Sequence, residues 1–127
     1  MNNFLLVFIG GGAGSVARYS MMNFISHRME GSATFPWHTL GVNLLGAFII
    51  GAVMELLALY VSVAEPGRLL LVTGFLGGFT TFSAFSLEGA LFLQKGDYVN
   101  LIAYVAASVI GTIIAVFLGS GLVKAIA

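Results

Sequence analysis

The chain of 127 residues is 59% hydrophobic and only 8% charged, with a mean hydropathy of +1.05 and a formal net charge of zero. A soluble domain carries roughly 25% charged residues, so this composition excludes a soluble domain and predicts an integral membrane protein. The zero net charge argues against a nucleic-acid partner, and the lack of cysteine excludes disulfides and thiolate metal sites.

Four segments are apolar enough to cross a lipid bilayer, which takes about 20 residues. They cover approximately residues 4–25, 37–61, 69–93 and 98–123, with tight polar turns expected at 65–68 and 94–97. The start of the chain lacks the basic flank of a secretory signal, so we expect the first segment to be a transmembrane helix. We therefore predict an all-α integral membrane fold, with one membrane domain over residues 1–127 and four transmembrane helices per subunit.

The first span contains a glycine pattern at residues 12–17 that matches the G-x-G-x-x-[GA] dinucleotide fingerprint. No alternation of strands and helices follows it, so close helix packing through Gly10 and Gly14 is favoured instead. The same span carries Arg18, which is expected to be buried and paired with Glu88 of the third span.

Polar residues at helical spacing mark the second and fourth spans. Thr39 and Asn43 lie four residues apart on one face of the second span. At that depth an asparagine needs a partner, and either an interhelical hydrogen bond or a role as a donor facing a pore provides one. The fourth span carries the stripe Tyr104, Ser108 and Thr112. Three hydroxyls in register favour one wall of a polar track over bonds to their own helix.

The third span gathers three glycines, five hydroxyl side chains and four phenylalanines between residues 73 and 86. The glycines and hydroxyls predict a break in the helix at mid-membrane, where freed backbone groups are tolerated only against protein or a water-lined cavity. Phe82 and Phe85 project from roughly one face. Their rings serve either as packing or as electropositive edges that hold an anion weakly enough for conduction.

The basic residues near the ends of the spans divide almost evenly between the two sides of the membrane. Arg68 and Lys124 lie on the side of the termini, and Arg28 and Lys95 lie on the other. The positive-inside rule therefore gives little guidance on orientation. Two interpretations remain open, a weakly determined single topology and an antiparallel homodimer inserted both ways.

The motif at residues 74–86 closely resembles the signature of the Fluc/CrcB fluoride channels. The match extends to Gly10–Gly12 and Arg18 in the first span, to residues 41–46 in the second and to the hydroxyl stripe in the fourth, so it covers essentially the whole chain. The resemblance implies a passive, fluoride-selective channel in the cytoplasmic (inner) membrane of a microbe. It also implies an antiparallel, dual-topology homodimer with two pores.

The resemblance further implies roles for individual residues. Phe82 and Phe85 would coordinate fluoride, and Asn43 would be the pore asparagine. The polar track would include Thr39, Ser83, Ser86, Tyr104, Ser108 and Thr112. A central structural sodium ion would be held by backbone carbonyls of Gly77 and Thr80 from each subunit. Arg18 and Glu88 correspond to charged residues of the family, in a structural or vestibule role. Ala84 stands where the family commonly has threonine, which removes one hydroxyl from the motif.

The chemistry of fluoride agrees with a pore of this kind. Hydrogen fluoride enters cells as a neutral weak acid and ionises in the cytoplasm, so a passive pore suffices for the trapped anion to leave. The rival hypothesis is a small four-helix proton-coupled drug exporter, which would need a mid-membrane glutamate in the first span, where this chain has none. A purely structural membrane subunit is a third possibility. An enzyme is not expected, because no nucleophile with its base and no metal-ligand cluster is found.

Overall fold

The described part of the protein is almost entirely helical. A computed structural model describes residues 2–29, 35–60 and 65–127. The elements are α1 (Asn3–Arg28), α2 (Trp37–Leu59), α3 (Glu65–Arg68), a π-helical segment (Leu69–Leu76), α4 (Gly77–Phe79), α5 (Phe82–Lys95) and α6 (Tyr98–Ile126). Four stretches are long and apolar enough to cross a membrane: Asn3–Arg28, Trp37–Leu59, Glu65–Lys95 and Tyr98–Ile126. The predicted all-α, four-span membrane architecture is confirmed at this level.

The ends of the spans follow from local chemistry. Gly96 ends α5 in the left-handed conformation, with φ of 70°, which glycine adopts without strain, and Asp97 then caps α6 by accepting from the Asn100 N–H. The prediction of a tight turn at 65–68 was wrong, because Glu65–Arg68 is helical and leads directly into the third span. Pro66 is tolerated there because the N–H groups in the first turn of a helix have no acceptor within that helix, so a proline loses no hydrogen bond. The end predicted for the second span, residue 61, lies outside the described residues.

Backbone-to-backbone packing through glycine joins α2 to α6. A Cβ atom added to Gly51 would collide with the carbonyl group of Val116, and one added to Gly119 would collide with that of Phe48. Small residues at such points let the two helix backbones approach closely, which increases the van der Waals packing between helices in a membrane. This seam fixes the second span beside the fourth.

A similar contact joins α1 to the first part of the third span, near Phe75. A Cβ on Gly10 would lie 3.0 Å from the Phe75 nitrogen, and a Cβ on Gly14 would lie 2.9 Å from the Phe75 carbonyl carbon. The expectation that these glycines form a packing surface, and not a nucleotide-binding turn, is therefore confirmed. α1 packs against the π-helical segment and α4, so its position is set by the first half of the third span.

Regular helix stops at Phe79 and resumes at Phe82. Between them Thr80 (φ −91°, ψ 158°) and Thr81 (φ −147°, ψ 120°) have extended backbone, which suits β-branched residues. The Thr80 N–H and hydroxyl both donate to the Leu76 carbonyl at 3.1 Å. The Thr81 hydroxyl caps α5 by accepting from the Ala84 N–H at 3.2 Å. Two threonines thus end one helix and begin the next.

Candidate functional site

The side chain of Asn43 supplies hydrogen bonds that the extended backbone at Thr81 cannot make within a helix. Its Nδ2 donates to the Thr81 carbonyl at 2.9 Å, and the Thr81 N–H donates to its Oδ1 at 2.8 Å. Because one Thr81 group must accept and the other must donate, these partners fix which way the amide points. Of the two roles left open by the sequence, the interhelical hydrogen bond is present. The second Nδ2 hydrogen has no acceptor among the described residues.

Asn43 lines a pocket of about 470 Å³ that lies between α2, the third span and α6. The pocket is open on one side and is lined mainly by small and aliphatic side chains. The predicted site residues among its lining are Asn43, Gly77, Thr80, Phe82, Phe85, Ser108 and Thr112. The fold therefore brings together residues from three spans, and amide, hydroxyl and aromatic groups converge on one space without a formal charge.

The two phenylalanines form a contiguous pair at this pocket. Their ring centroids lie 5.3 Å apart at an interplanar angle of 44°. Phe85 also packs against the Tyr104 ring at 5.1 Å, which holds it in place, whereas Phe82 is 76% exposed. The open side of the pocket is thus bordered by a ring that has most of its surface free of protein contact.

The hydroxyl stripe of α6 does not act as one uniform surface. The Tyr104 ring is fully buried and its hydroxyl donates to Glu88 Oε1 at 3.0 Å. The Thr112 hydroxyl bonds to its own helix, at 2.5 Å from the Ser108 carbonyl. The Ser108 hydroxyl is buried without a partner among the described residues. Of the three hydroxyls, that of Thr112 bonds to its own helix, and a polar track along the stripe stays a prediction.

Thr39 of α2 resembles Ser108 in this respect. Its side chain is fully buried, and its Oγ1 has no hydrogen-bond partner in the described part of the chain. A buried hydroxyl without a partner costs about 1–3 kcal/mol. Ser108 lines the pocket, where its hydroxyl can bind a small acceptor or a water molecule, whereas Thr39 is fully buried beside the Tyr104 hydroxyl and does not reach the pocket.

The remaining predicted residues lie outside this pocket. Ser83 and Ser86 are exposed on the first turns of α5, and the Ser83 hydroxyl lies 3.3 Å from that of Thr81. Arg18 is half-buried on α1. Its expected pairing with Glu88 was wrong, because α1 packs on the third span before the interruption and Glu88 lies after it.

Glu88 instead contacts His38, a residue for which the sequence predicted no role. His38 Nε2 lies 3.1 Å from Glu88 Oε2, and Tyr104 occupies the other carboxylate oxygen. No local signal in the sequence predicts this pair, because packing alone brings the start of α2 to the middle of α5. On the opposite side of the protein Glu55 accepts from Ser120 at 2.9 Å and lies 3.9 Å from Lys124 Nζ, which joins α2 to α6.

The chain is similar to known proteins over nearly its whole length. A family model described as "CrcB-like protein, Camphor Resistance (CrcB)" matches residues 5–120. The chain is 47% identical over 123 residues to the fluoride-specific ion channel FluC of Rhizobium johnstonii, with 97% of each chain covered. It is 45% identical over 124 residues to FluC of Granulibacter bethesdensis, with 98% of this chain and 96% of the relative covered. It is also 45% identical over 126 residues to FluC of a Chelativorans species, with 99% of each covered.

Proposed function

Because the chain belongs to the CrcB family, a family of ion channels and not of enzymes, we propose that it is a passive, fluoride-selective channel that exports fluoride from the cytoplasm. The observation that carries this proposal is the meeting of the Phe82–Phe85 ring pair with the Asn43 amide and the Ser108 hydroxyl in one pocket. The protein is a multi-pass membrane protein, and we place it in the cytoplasmic membrane.

The residues suit a small anion that holds its water tightly. Fluoride needs hydrogen-bond donors to replace that water, and the Asn43 amide and the Ser108 hydroxyl, which both line the pocket, can supply them. The edges of Phe82 and Phe85 add positive potential without a formal charge that would trap the ion. Weak binding at several places is what conduction requires. α1 contains no acidic residue, which favours a passive pore over a proton-coupled exporter.

The proposed assembly is an antiparallel homodimer with two pores. Its support is the open pocket beside the interrupted span, where Phe82 and Gly77 are exposed in the single chain. In a membrane such freed backbone must face protein or a water-lined cavity, and a second subunit provides that surface. The even division of basic residues between the two sides favours opposite orientations of the two subunits.

A structural sodium ion fits the backbone of the interruption. The carbonyls of Gly77 and Thr80 accept no backbone hydrogen bond from the described residues, because Thr81 and Ala84 donate to side chains instead. Carbonyl oxygens are the ligands that hard cations prefer. These two groups from each subunit would hold the ion, and its charge would offset their partial negative charges.

Replacing Gly77 with leucine is expected to disturb assembly or abolish fluoride flux, whereas Thr80→Ser should be mild because its carbonyl remains. Size-exclusion chromatography and liposome flux measure the two effects. Normal assembly and flux of the Gly77 variant would contradict a cation site at these carbonyls.

The proposed function is tested by ion efflux from liposomes that contain the purified protein. Ion-selective electrodes should record rapid loss of a fluoride gradient and retention of a chloride gradient. Equal loss of both ions would refute selectivity, and retention of both would refute the channel. Proton-driven export of an organic cation without fluoride flux would identify an exporter instead.

A further inference from the structure

Three side chains in successive polar contact connect the surface with the proposed fluoride pathway. His38 lies in the first turn of α2, with 35% of its side chain exposed, and its Nε2 lies 3.1 Å from Glu88 Oε2. Glu88 is 17% exposed, and its Oε1 accepts from the Tyr104 hydroxyl at 3.0 Å. Tyr104 in turn packs against the ring of Phe85. The half-buried imidazole is therefore connected to Phe85 of the proposed track through two side chains, Glu88 and Tyr104.

The carboxylate of Glu88 is unexpected beside an anion pathway, because a negative charge repels the permeating ion. An ionised Glu88 next to the track repels fluoride. One of its oxygens accepts a hydrogen bond from Tyr104, and the other lies 3.1 Å from His38 Nε2. A neutral imidazole can donate from Nε2 as well as a protonated one can, so the contact survives in either form. What changes on protonation is the charge. The pair carries a net charge of −1 when His38 is neutral and zero when it is protonated.

We propose that His38 is a positioning residue whose protonation neutralises Glu88 and thereby eases entry of fluoride at this end of the track. This inference rests on the proposed channel function. Histidine is the side chain that ordinarily changes charge between about pH 5 and 8. Conductance should therefore be high at acidic pH, where the pair is neutral, and should fall as the pH rises and the negative charge of Glu88 is left uncompensated.

The charged groups around the pair do not provide an alternative partner in the described residues. Glu88 faces His38 from α5, with Tyr104 of α6 behind it. At the same end of the bundle, Arg28 of α1 lies over the Phe24 ring, 5.0 Å from its centroid. Asp97 is bound by the Asn100 side chain of its own helix at 2.8 Å. Within the described residues, His38 is thus the basic side chain that contacts the carboxylate.

Fluoride current across a planar bilayer tests this proposal without interference from hydrogen fluoride, which is neutral and carries no current. Currents are recorded at fixed voltage with equal fluoride on both sides, and both solutions are shifted from about pH 7.5 to about pH 5.5, across the range where histidine titrates. The ratio of the two currents in one bilayer does not depend on how much protein has inserted. For the wild type we expect an increase of about threefold or more, the effect of one unit charge on an ion roughly 10 Å away in a medium less polar than water.

Two substitutions and one control separate charge from packing. His38→Gln keeps a donor for Glu88 but cannot gain charge, so its current should be low and independent of pH. His38→Arg is always charged, so its current should be high and equally flat. His27→Gln alters the chain's other histidine, which is exposed at the end of α1, and should keep the pH response of the wild type.

Each outcome decides one question. A wild-type current that does not change with pH overturns the role of His38 and leaves the channel intact. A His38→Gln current that rises with acid as the wild type does overturns it too, since the charge change would then lie elsewhere. Absence of fluoride current at every pH in every variant refutes the proposed function itself.

Discussion

Asn43→Leu is the substitution that separates a structural role of the amide from a role in binding fluoride. The leucine is similar in size, but it leaves both the N–H and the carbonyl of Thr81 without the partners that now lie at 2.8 and 2.9 Å. A buried backbone group that loses its partner costs about 1–3 kcal/mol, so the free energy of unfolding should fall by about 2–6 kcal/mol. The cost is greatest in hydrocarbon, where water cannot replace the lost partner.

Thermal unfolding in detergent, followed by the fluorescence of Trp37, measures this loss. Leu45→Met on the same helix is the matched control, because Leu45 is 38% exposed on the outer surface and bonds to nothing in the interruption. The control should unfold at the wild-type temperature and conduct normally. If Asn43→Leu unfolds at the wild-type temperature but conducts no fluoride, the amide acts on the ion alone and the structural argument is refuted.

Three further predictions concern the rings, the helix seam and the orientation. Phe82→Ile and Phe85→Ile should each lower fluoride flux about fivefold or more while the protein still assembles, because a ring edge supplies on the order of 1 kcal/mol and isoleucine has none; normal flux would leave the rings as packing only. Gly119→Val should lower stability by about 1–3 kcal/mol by forcing α6 off α2, whereas Gly121→Ala, with nothing within 4 Å, should be neutral in the same melting assay. A single cysteine added at a terminus should react with an impermeant thiol reagent in about half of the molecules in intact cells, as opposed orientations require; labelling near zero or near completion would indicate one orientation.

The sequence by itself determined the membrane class, the number of spans and the kind of residues at the site. These follow from local properties, because a bilayer requires about 20 apolar residues for each crossing and the described residues contain four such stretches. Gly10 and Gly14 were also assigned correctly to packing, since their spacing puts both on one face of a helix. The run 65–68 was misjudged because the same polar residues suit a turn and a first helical turn equally well.

Only the tertiary structure decided how these residues are partnered. Asn43 could have faced a pore alone, but packing of α2 places its amide against Thr81. Glu88 was expected to meet Arg18, yet the interruption of the third span divides it into halves with different neighbours, and His38 of α2 lies within reach instead. Hydropathy and spacing describe one helix at a time. Hydrogen bonds between spans depend on how the helices rotate and approach each other, which is set by close contacts such as the glycine seam between α2 and α6.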